Sequence, residues 1–534
     1  MLLTYKEPNY LVSCKSKERA LVKEAGFERD PVENIWFSRL PEKAMRFYEV
    51  ATKEVKKQLD NAVQTRKEAE ALTSGLSIPT PAGLTLFPYQ KAGVQFLLNH
   101  NNVLLADSMG LGKTCQVIGL INLKSNIEKI LVICPASLKL MWRNELNKWL
   151  TRNLSIGIAA GGSFPESDIV IINYDILPRH YNNLRECIWD LRVTDETHFI
   201  KNSRALRTKH VIGHYDQKLR SWDIKPIRAA RKIAITGTPI VNRPVELWSI
   251  LTDLDPIRWG SYTYFINRYC NAHSSRWGLD VSGASHHEEL KTILKSTIMI
   301  RRLKAEVLTE LPPKMRQIIE FPVPSSLRQK IQDENEEWER RATQLKALQD
   351  TLKECANEEE YRESVRKLKE ARRVAFNEMS KVRHETALLK LPVVISFLRE
   401  IMENGKKVVV FGHHRDMVEG IHNSFADSVL LYGGTPKSRK QKNIETFQND
   451  PTCTMFVGSI MAAGVGITLT AASHVVFAEL DWVPGNMVQA EDRLHRISQL
   501  NPVLVQILVY EGSLDARMAK TIVKKQCVIE RIVG

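Results

Sequence analysis

The stretch LLADSMGLGKTCQ, Leu104 to Gln116, decides how this chain folds. It runs from an apolar, strand-like segment, Val103–Ala106, through a turn holding Gly110 and Gly112, into an apparent helix, Thr114–Leu120. A phosphate-binding loop needs that strand–turn–helix context and reads G-x-x-x-x-G-K-[ST]. Gly112, Lys113 and Thr114 supply its end, while Asp107 stands where the first glycine belongs. Glycines let backbone N–H groups approach a phosphate, and the helix N-terminus adds a favourable dipole. Lys113 is expected on the β- and γ-phosphates and the Thr114 hydroxyl on Mg²⁺.

Working outward, NVLLADS, KILVICP and DIVIINY (168–174) are short buried-strand runs separated by helical stretches. The same alternation returns at KKVVVFGHH (406–414), TMFVGS (454–459) and HVVFAEL (474–480). Such alternation predicts parallel sheets covered on both faces. Between the two α/β regions, QKIQDENEEWERRATQLKALQD and EEEYRESVRKLKEARRVAFNEM read as long, charged helices, a solvated hairpin by composition. The N-terminal residues read as a small α+β module. YLVSC (10–14) is strand-like, SKERALVKEAG (16–26) is a helix ending on Gly26, Asp30-Pro31 is a turn, and Ile35–Phe37 is a strand. A charged helix over roughly 41–72 follows, and TSGLSIPTPAGL (73–84) reads as a linker. The expected organisation is a module over 1–72, a linker over 73–85, a first lobe over 86–310, a helical insertion over 311–395 and a second lobe over 396–534.

The bulk numbers agree with several domains, since 534 residues exceed one ordinary unit of about 150. Lys and Arg number 76 against 61 Asp and Glu, a net charge of +15, and the pI is near 9.3. That balance favours a polyanionic partner, nucleic acid before membrane. The eight cysteines are scattered without a C-x-x-C pair, which speaks against a zinc ribbon and suits a reducing compartment. The N-terminus lacks the apolar core of a signal peptide, and no run of 18 apolar residues predicts a membrane span. A monomer in the cytoplasm of a bacterial or viral system is the expectation, or the nucleus if the cell is eukaryotic.

Three further motifs carry chemistry. VTDETH (193–198) places two acids at a strand end, where Asp195 can hold Mg²⁺ and Glu196 can orient and deprotonate a water. ITGTPIVNRPVELW (235–248) puts Thr236 and Thr238 after another strand, within reach of a γ-phosphate and of His198. QAEDRLHRISQ (489–499) spaces Arg493 and Arg496 three apart, on one face if helical. Arginines against a γ-phosphate stabilise the charge that builds in the transition state.

Taken in order, these motifs resemble the Swi/Snf-like branch of the superfamily-two helicases over roughly residues 84–525. LFPYQKAGVQFLL (86–98) resembles its Q motif, DSMGLGKT its D-E-M-G-L-G-K-T loop, and CPASLKLMWRNE (134–145) its motif Ia. VVVFGHH, GSIMAAGVGITLTAASHVVFAELDWVPGN and QAEDRLHRISQ resemble motifs IV, V and VI. IMIRRLKAEVLTELPPKMRQI (298–318), TGTPIVNRPVEL and TAASHVVFAELDW (470–482) resemble the annealing-helicase subgroup, and AGF-x-x-D-P-x-x-x-x-W-F resembles the HARP module that precedes its motor. Ser108, Thr197 and Ser498 depart from the branch's usual Glu, Ala or Ser, and Gly at those positions.

The resemblance implies two RecA-like lobes and an ATP site made from Gln90, Asp107, Met109, Gly110, Leu111, Gly112, Lys113, Thr114, Gly466 and Gln489. It implies catalysis by Lys113, Asp195, Glu196, Arg493 and Arg496, with Mg²⁺ on Thr114 and Asp195. It implies double-stranded or forked DNA as partner, gripped through phosphates by Ser137, Lys139, His413, Ser459, Thr468 and Thr470, with His414 nearby. Trp482 reads as a core aromatic. The implied activity is ATP-driven translocation on duplex DNA that remodels forks or anneals strands. A nucleosome-sliding or protein-displacing motor and an RNA helicase are the alternatives.

Overall fold

The strands ILVIC (130–134) and IVIIN (169–173) are built almost wholly from Val, Ile and Leu and cannot leave a face in water, and they set the sheet of the first lobe. β5 (Asn102–Leu105), β6 (Ile130–Cys134), β7 (Ile156–Ile158), β8 (Ile169–Asn173), β9 (Trp189–Thr194), β12 (Ala229–Ile235) and β15 (Met299–Ile300) form a seven-stranded sheet. Its order is β15-β5-β12-β9-β6-β8-β7, and the pairings are parallel. β6 and β8 are buried at every residue. Because β5, β12 and β9 are neighbours, the segments that leave their carboxyl ends start side by side. Those segments are the glycine loop, the Thr236-Gly237 turn and the Asp195-Glu196 pair. Parallel α/β sheets place ligands at that edge.

The structure is a computed structural model describing residues 1–30, 35–216, 221–237, 244–275, 278–281, 283–308, 312, 314–354, 366, 384–403, 405–463, 467–481, 483–496 and 498–520. The chain divides into two compact units, with the main break after Val307.

Before the first lobe, β1 (Leu2–Lys6), β2 (Asn9–Ser13), β3 (Glu28–Arg29) and β4 (Trp36–Ser38) form an antiparallel sheet in the order β1-β2-β4-β3. Its own core gathers Leu3, Tyr10, Val22, Phe27 and Phe47. Helix α1 (Arg19–Glu24) ends as expected, with Gly26 at φ +80°. The single helix expected over 41–72 is instead two, α2 (Pro41–Met45) and α3 (Lys53–Glu70). The break follows from Thr52, whose extended backbone and side-chain oxygen cap the Val55 N–H at 3.3 Å. The 73–85 linker is held against the first lobe, with Asn122 donating to the Pro79 carbonyl at 3.0 Å.

The module docks on the first lobe through charged and aromatic groups. Arg268 reaches Glu28 at 2.6 Å, the Arg39 guanidinium lies 3.5 Å over the Tyr264 ring, and His100 meets Glu68 at 3.2 Å. Two short hairpins, β10 (His214–Asp216) with β11 (Ser221–Ile224) and β13 (His273–Ser275) with β14 (Gly278–Asp280), stand apart from the main sheets.

In the second unit, β16 (Lys314–Phe321), β17 (Val408–Gly412), β18 (Ser428–Leu431), β19 (Met455–Ser459), β20 (His474–Phe477) and β21 (Val503–Tyr510) form a parallel sheet in the order β16-β21-β20-β17-β19-β18. Side chains alternate faces along a strand. Val409 and Phe411 therefore enter one core layer, while Val408 and Val410 enter the other.

The boundary at 311–395 needs correction. Residues 314–321 are not helical: they are the edge strand β16, paired with β21 over eight residues. Residues 384–402 are helical and bury Ala387, Val394 and Leu398 in the second lobe's core. Of the charged hairpin, Arg328–Glu354 is one long helix, and the stretch around EEEYRESVRKLKEARRVAFNEM lies outside the described residues apart from Arg366. Among the described residues no helix is long and apolar enough to cross a membrane. The described cysteines, Cys14, Cys115, Cys134, Cys187, Cys270 and Cys453, are free thiols.

Candidate nucleotide site and motor residues

The loop after β5 adopts the backbone that its glycines permit. Gly110 has φ +83° and Gly112 has φ +72°, and helix α5 (Lys113–Leu123) starts at the next residue. A Cβ on Gly112 would sit 2.5 Å from the Gln90 amide nitrogen and 2.8 Å from the Cys115 sulfur, so both conformation and space demand glycine. The Lys113 amine folds back onto its own loop, 2.8 Å from the Asp107 carbonyl and 3.3 Å from the Ser108 carbonyl. Burial pushes its pKa down, with Glu196, Asp107 and Asp195 acting in opposition. A phosphate is the ligand that would satisfy this amine together with the N–H groups at the start of α5. Thr114 is half-buried in the first turn of α5.

Asp107 differs from its expected place among the ATP ligands. Its carboxylate is fully buried and turned inward. It accepts from the Arg302 backbone N–H at 2.9 Å, from Arg302 Nε at 3.0 Å, from Arg302 Nη2, and from Gln116 Nε2 at 3.0 Å. Four donors saturate the two oxygens, so this side chain anchors the loop and leaves nothing for a nucleotide. Arg302 also donates to the Tyr89 carbonyl and to Gln116 Oε1. Helix α4 (Pro88–Asn99) passes close by at Gly93, where a Cβ would strike the Gln116 amide.

Gln90 is 3% exposed. Its Oε1 accepts from the Phe87 N–H at 3.0 Å, and its Nε2 donates to the Leu111 carbonyl at 3.2 Å. The amide thus ties the start of α4 to the glycine loop. Leu111 is buried beneath that loop, and Met109 lies over Gly237, where any Cβ would meet its side chain.

The Asp195-Glu196 pair sits at the end of β9. Asp195 is held from three directions. Trp142 Nε1 donates to its Oδ2 at 2.8 Å, the Glu196 N–H to its Oδ1 at 2.9 Å, and the Tyr174 hydroxyl to its carbonyl at 2.8 Å. Burial, with Glu196 next in effect, pushes the Asp195 carboxyl up to about 6, against the Trp142 indole and Lys113. Asp195 is buried and Glu196 half-buried, and Lys113 is a cation that acts on both carboxylates. Glu196 has φ +50°, a left-handed backbone that a non-glycine residue adopts at a cost. It points its carboxylate toward His198, 3.3 Å away at Nδ1. Thr236 is buried beside β5, its N–H on the Leu105 carbonyl at 3.1 Å. Thr238 and Pro239 lie outside the described residues.

In the second unit, Arg493 and Arg496 do not share a helix face. The helix is Pro484–Glu491, and the arginines follow it in a turn. Arg493 is 6% exposed, and Arg496 donates from Nε to the Asp492 carbonyl at 3.0 Å and from Nη1 to Thr468 at 2.9 Å. Gln489 is half-buried on the preceding helix. Gly466 and Trp482 lie outside the described residues.

The residues expected on DNA divide. Ser137 is exposed in the turn Ala136–Leu138. Lys139, first residue of α6 (Lys139–Trp149), instead turns its amine to the Ala159 carbonyl at 3.0 Å. Ser459 caps the helix Ile460–Ala463 by accepting from the Ala462 N–H at 3.2 Å. Thr468 holds Arg496, and Thr470 accepts from Ser498 at 3.1 Å. His413 lies 3.6 Å from Asp481, while His414 bonds Glu479 at 2.6 Å. These groups serve the protein's own loops in this conformation.

With the geometry in place, comparison with known proteins is decisive. A family model described as SNF2-related domain matches residues 89–378. The chain belongs to the SNF2-related family. A model described as helicase conserved C-terminal domain matches residues 390–498 of the same SNF2-related chain. Among curated relatives, the "DNA annealing helicase and endonuclease ZRANB3" of Bos taurus is 34% identical over 465 residues, covering 83% of this chain and 40% of that protein. The "SWI/SNF-related matrix-associated actin-dependent regulator of chromatin subfamily A-like protein 1" of Xenopus tropicalis is 32% identical over 448 residues, covering 82% and 44%. This SNF2-related chain therefore spans about two fifths of the length of these relatives. A solved structure described as "Sulfolobus solfataricus SWI2/SNF2 ATPase core in complex with dsDNA" aligns with a TM-score of 0.40 and 25% identity, covering 87% of this chain and 95% of that one.

Arg302, Trp142 and Tyr174 were not singled out by motif reading. Arg302 and Trp142 lie inside stretches that resemble the family, but nothing in their spacing tells which carboxylate each one meets.

Proposed function

We propose that this chain is an ATP-dependent translocase on double-stranded DNA that remodels forked or branched DNA and anneals separated strands. The observation that carries the reading is the convergence of the glycine loop, the Thr236-Gly237 turn and the Asp195-Glu196 pair on three adjacent strands. The family and the printed names of the relatives support the DNA and annealing parts. Lys113 and the N–H groups of Gly110 to Thr114 bind the phosphates, and Asp195 and Thr114 are the residues that would hold Mg²⁺. Bound there, the ion would supply positive charge to the phosphates. Glu196 orients the attacking water and takes its proton, with His198 as the neighbour that fixes the Glu196 carboxylate. Arg493 and Arg496 stabilise the charge that builds on the γ-phosphate. Movement along DNA then draws on phosphate contacts, which carry no sequence information.

The test is the ATPase rate with no nucleic acid, single-stranded DNA, duplex DNA, forked DNA and RNA. Fork or duplex stimulation well above RNA supports the reading, and equal stimulation by RNA overturns it. Glu196→Gln is expected to retain nucleotide binding and to lose at least a hundredfold in turnover. Wild-type turnover in that variant removes Glu196 as the base.

A further inference from the structure

The arginine turn at 492–496 is not helical, so its shape must come from elsewhere in the fold. The first strand of the second lobe provides it. Glu491, the last residue of the helix before the turn, is 1% exposed and receives two cations from β16. Lys314 Nζ lies 2.8 Å from its Oε2, and Arg316 bonds it from Nε at 3.0 Å and from Nη2 at 2.7 Å. Lys314 also reaches Asp492 at 3.5 Å. Just upstream, the Pro312 carbonyl bonds the His495 ring at 2.9 Å. Pro312, Lys314 and Arg316 thus contact 491, 492 and 495, the positions that flank Arg493 and precede Arg496. The Asp492 carbonyl in turn receives Arg496 Nε.

Strand alternation explains the pattern. Lys314 and Arg316 share one face and Met315, 55% exposed, points to the other. An ion cluster this enclosed adds little net stability over an apolar cluster of the same volume, whereas it sets geometry well, because losing one partner strands a charge. Burial works against the Lys314 charge, but Glu491 and Asp492 hold its pKa above the ordinary lysine value.

We infer that Lys314, with Arg316 and the Pro312–His495 bond, is a positioning residue for the arginine turn: it sets where Arg493 and Arg496 stand and thereby the rate of ATP hydrolysis. This rests on the reading of those arginines as γ-phosphate groups. It also gives a role to Pro312, Lys314 and Arg316, which the proposed mechanism leaves unused. The positioning cations lie on the first strand after Val307, so the chain that leaves the first lobe is the chain that shapes the turn.

The test uses the full chain with Lys314→Met, Lys314→Arg, His495→Ala and Arg496→Ala. It measures kcat and KM for ATP on duplex DNA, affinity for a fluorescent ADP analogue, and thermal midpoint. Lys314→Met is expected to lower kcat at least tenfold with ADP affinity within twofold, and Lys314→Arg to recover most of the loss. His495→Ala removes the Pro312 bond while leaving the Lys314–Glu491 pair in place and should give a smaller fall of the same kind, which keeps the inference testable if Lys314→Met fails to fold. An unchanged kcat in both Lys314→Met and His495→Ala, or in His495→Ala alone where Lys314→Met does not fold, overturns it. So does a lowered melting temperature with full kcat per folded molecule. If Arg496→Ala itself keeps wild-type kcat, the arginine reading falls and takes this inference with it. If Arg496→Ala is inactive while Lys314→Met and His495→Ala keep wild-type kcat, only the inference falls.

Discussion

At the scale of single residues, the site's most consequential group is Asp195, because its environment opposes the charge it must carry. Its carboxyl is pushed up to about 6 from an unfolded value of 3.8, chiefly by burial. A raised folded pKa means that the native state prefers the protonated form. The contribution of this group to stability is therefore favourable below about pH 4 and is lost as pH rises through 6. Asp195→Asn, neutral throughout, is expected to be more stable than wild type at pH 8 by ~1–3 kcal/mol, with the gap closing toward pH 4. Denaturant melts at pH 8, 6 and 4.5 check this, and a gap independent of pH would contradict the assignment. The same variant should hydrolyse no ATP. Stability gained where activity is lost is the usual mark of a residue held for function.

At the scale of elements, Arg302 joins three pieces that the chain order keeps far apart. It follows β15, bonds Asp107 in the loop after β5, and reaches Tyr89 in α4 and Gln116 in α5. Arg302 is 1% exposed and Asp107 is fully buried, so removing one partner leaves a charge with no water to receive it. Arg302→Met is expected to cost ~3–5 kcal/mol and to abolish nucleotide binding. In Arg302→Met with Asp107→Leu, more than half of the stability should return, since no lone charge remains. Chemical denaturation of the two variants measures the difference, and equal loss in both would show that packing, not charge, dominates.

Elements are also where motif reading went furthest wrong. The composition of the segment over 311–395 is helical on average, yet Lys314–Phe321 pairs as a strand along β21. A partner strand nearly two hundred residues later is invisible to local periodicity. Likewise, Arg493 and Arg496 have helical spacing, but the helix stops at Glu491, where two cations from another strand hold its end.

At the scale of the molecule, the charge of +15 is the property that bears on the partner. A phosphate-tracking motor releases counterions when it binds, so affinity for duplex DNA should fall steeply with salt. Between 50 and 200 mM salt a loss of at least tenfold is expected, similar for duplexes of unrelated sequence. Fluorescence anisotropy on two such duplexes measures it, and a marked sequence preference at constant salt slope would argue for base readout instead.

The division of labour between sequence and structure follows from range. Neighbouring residues suffice to specify the strand–glycine loop–helix unit, the Asp195-Glu196 strand end and the two apolar sheets, because backbone conformation and burial pattern are local properties. The family resemblance rests on the same local strings. Tertiary structure alone decided that Asp107 faces Arg302 rather than a ligand, that Trp142 restrains Asp195, and that Lys314 and Arg316 hold Glu491. Each of those is a contact between side chains tens to hundreds of residues apart, and the free energy that selects it, the desolvation of a buried charge, exists only once the surrounding core has closed.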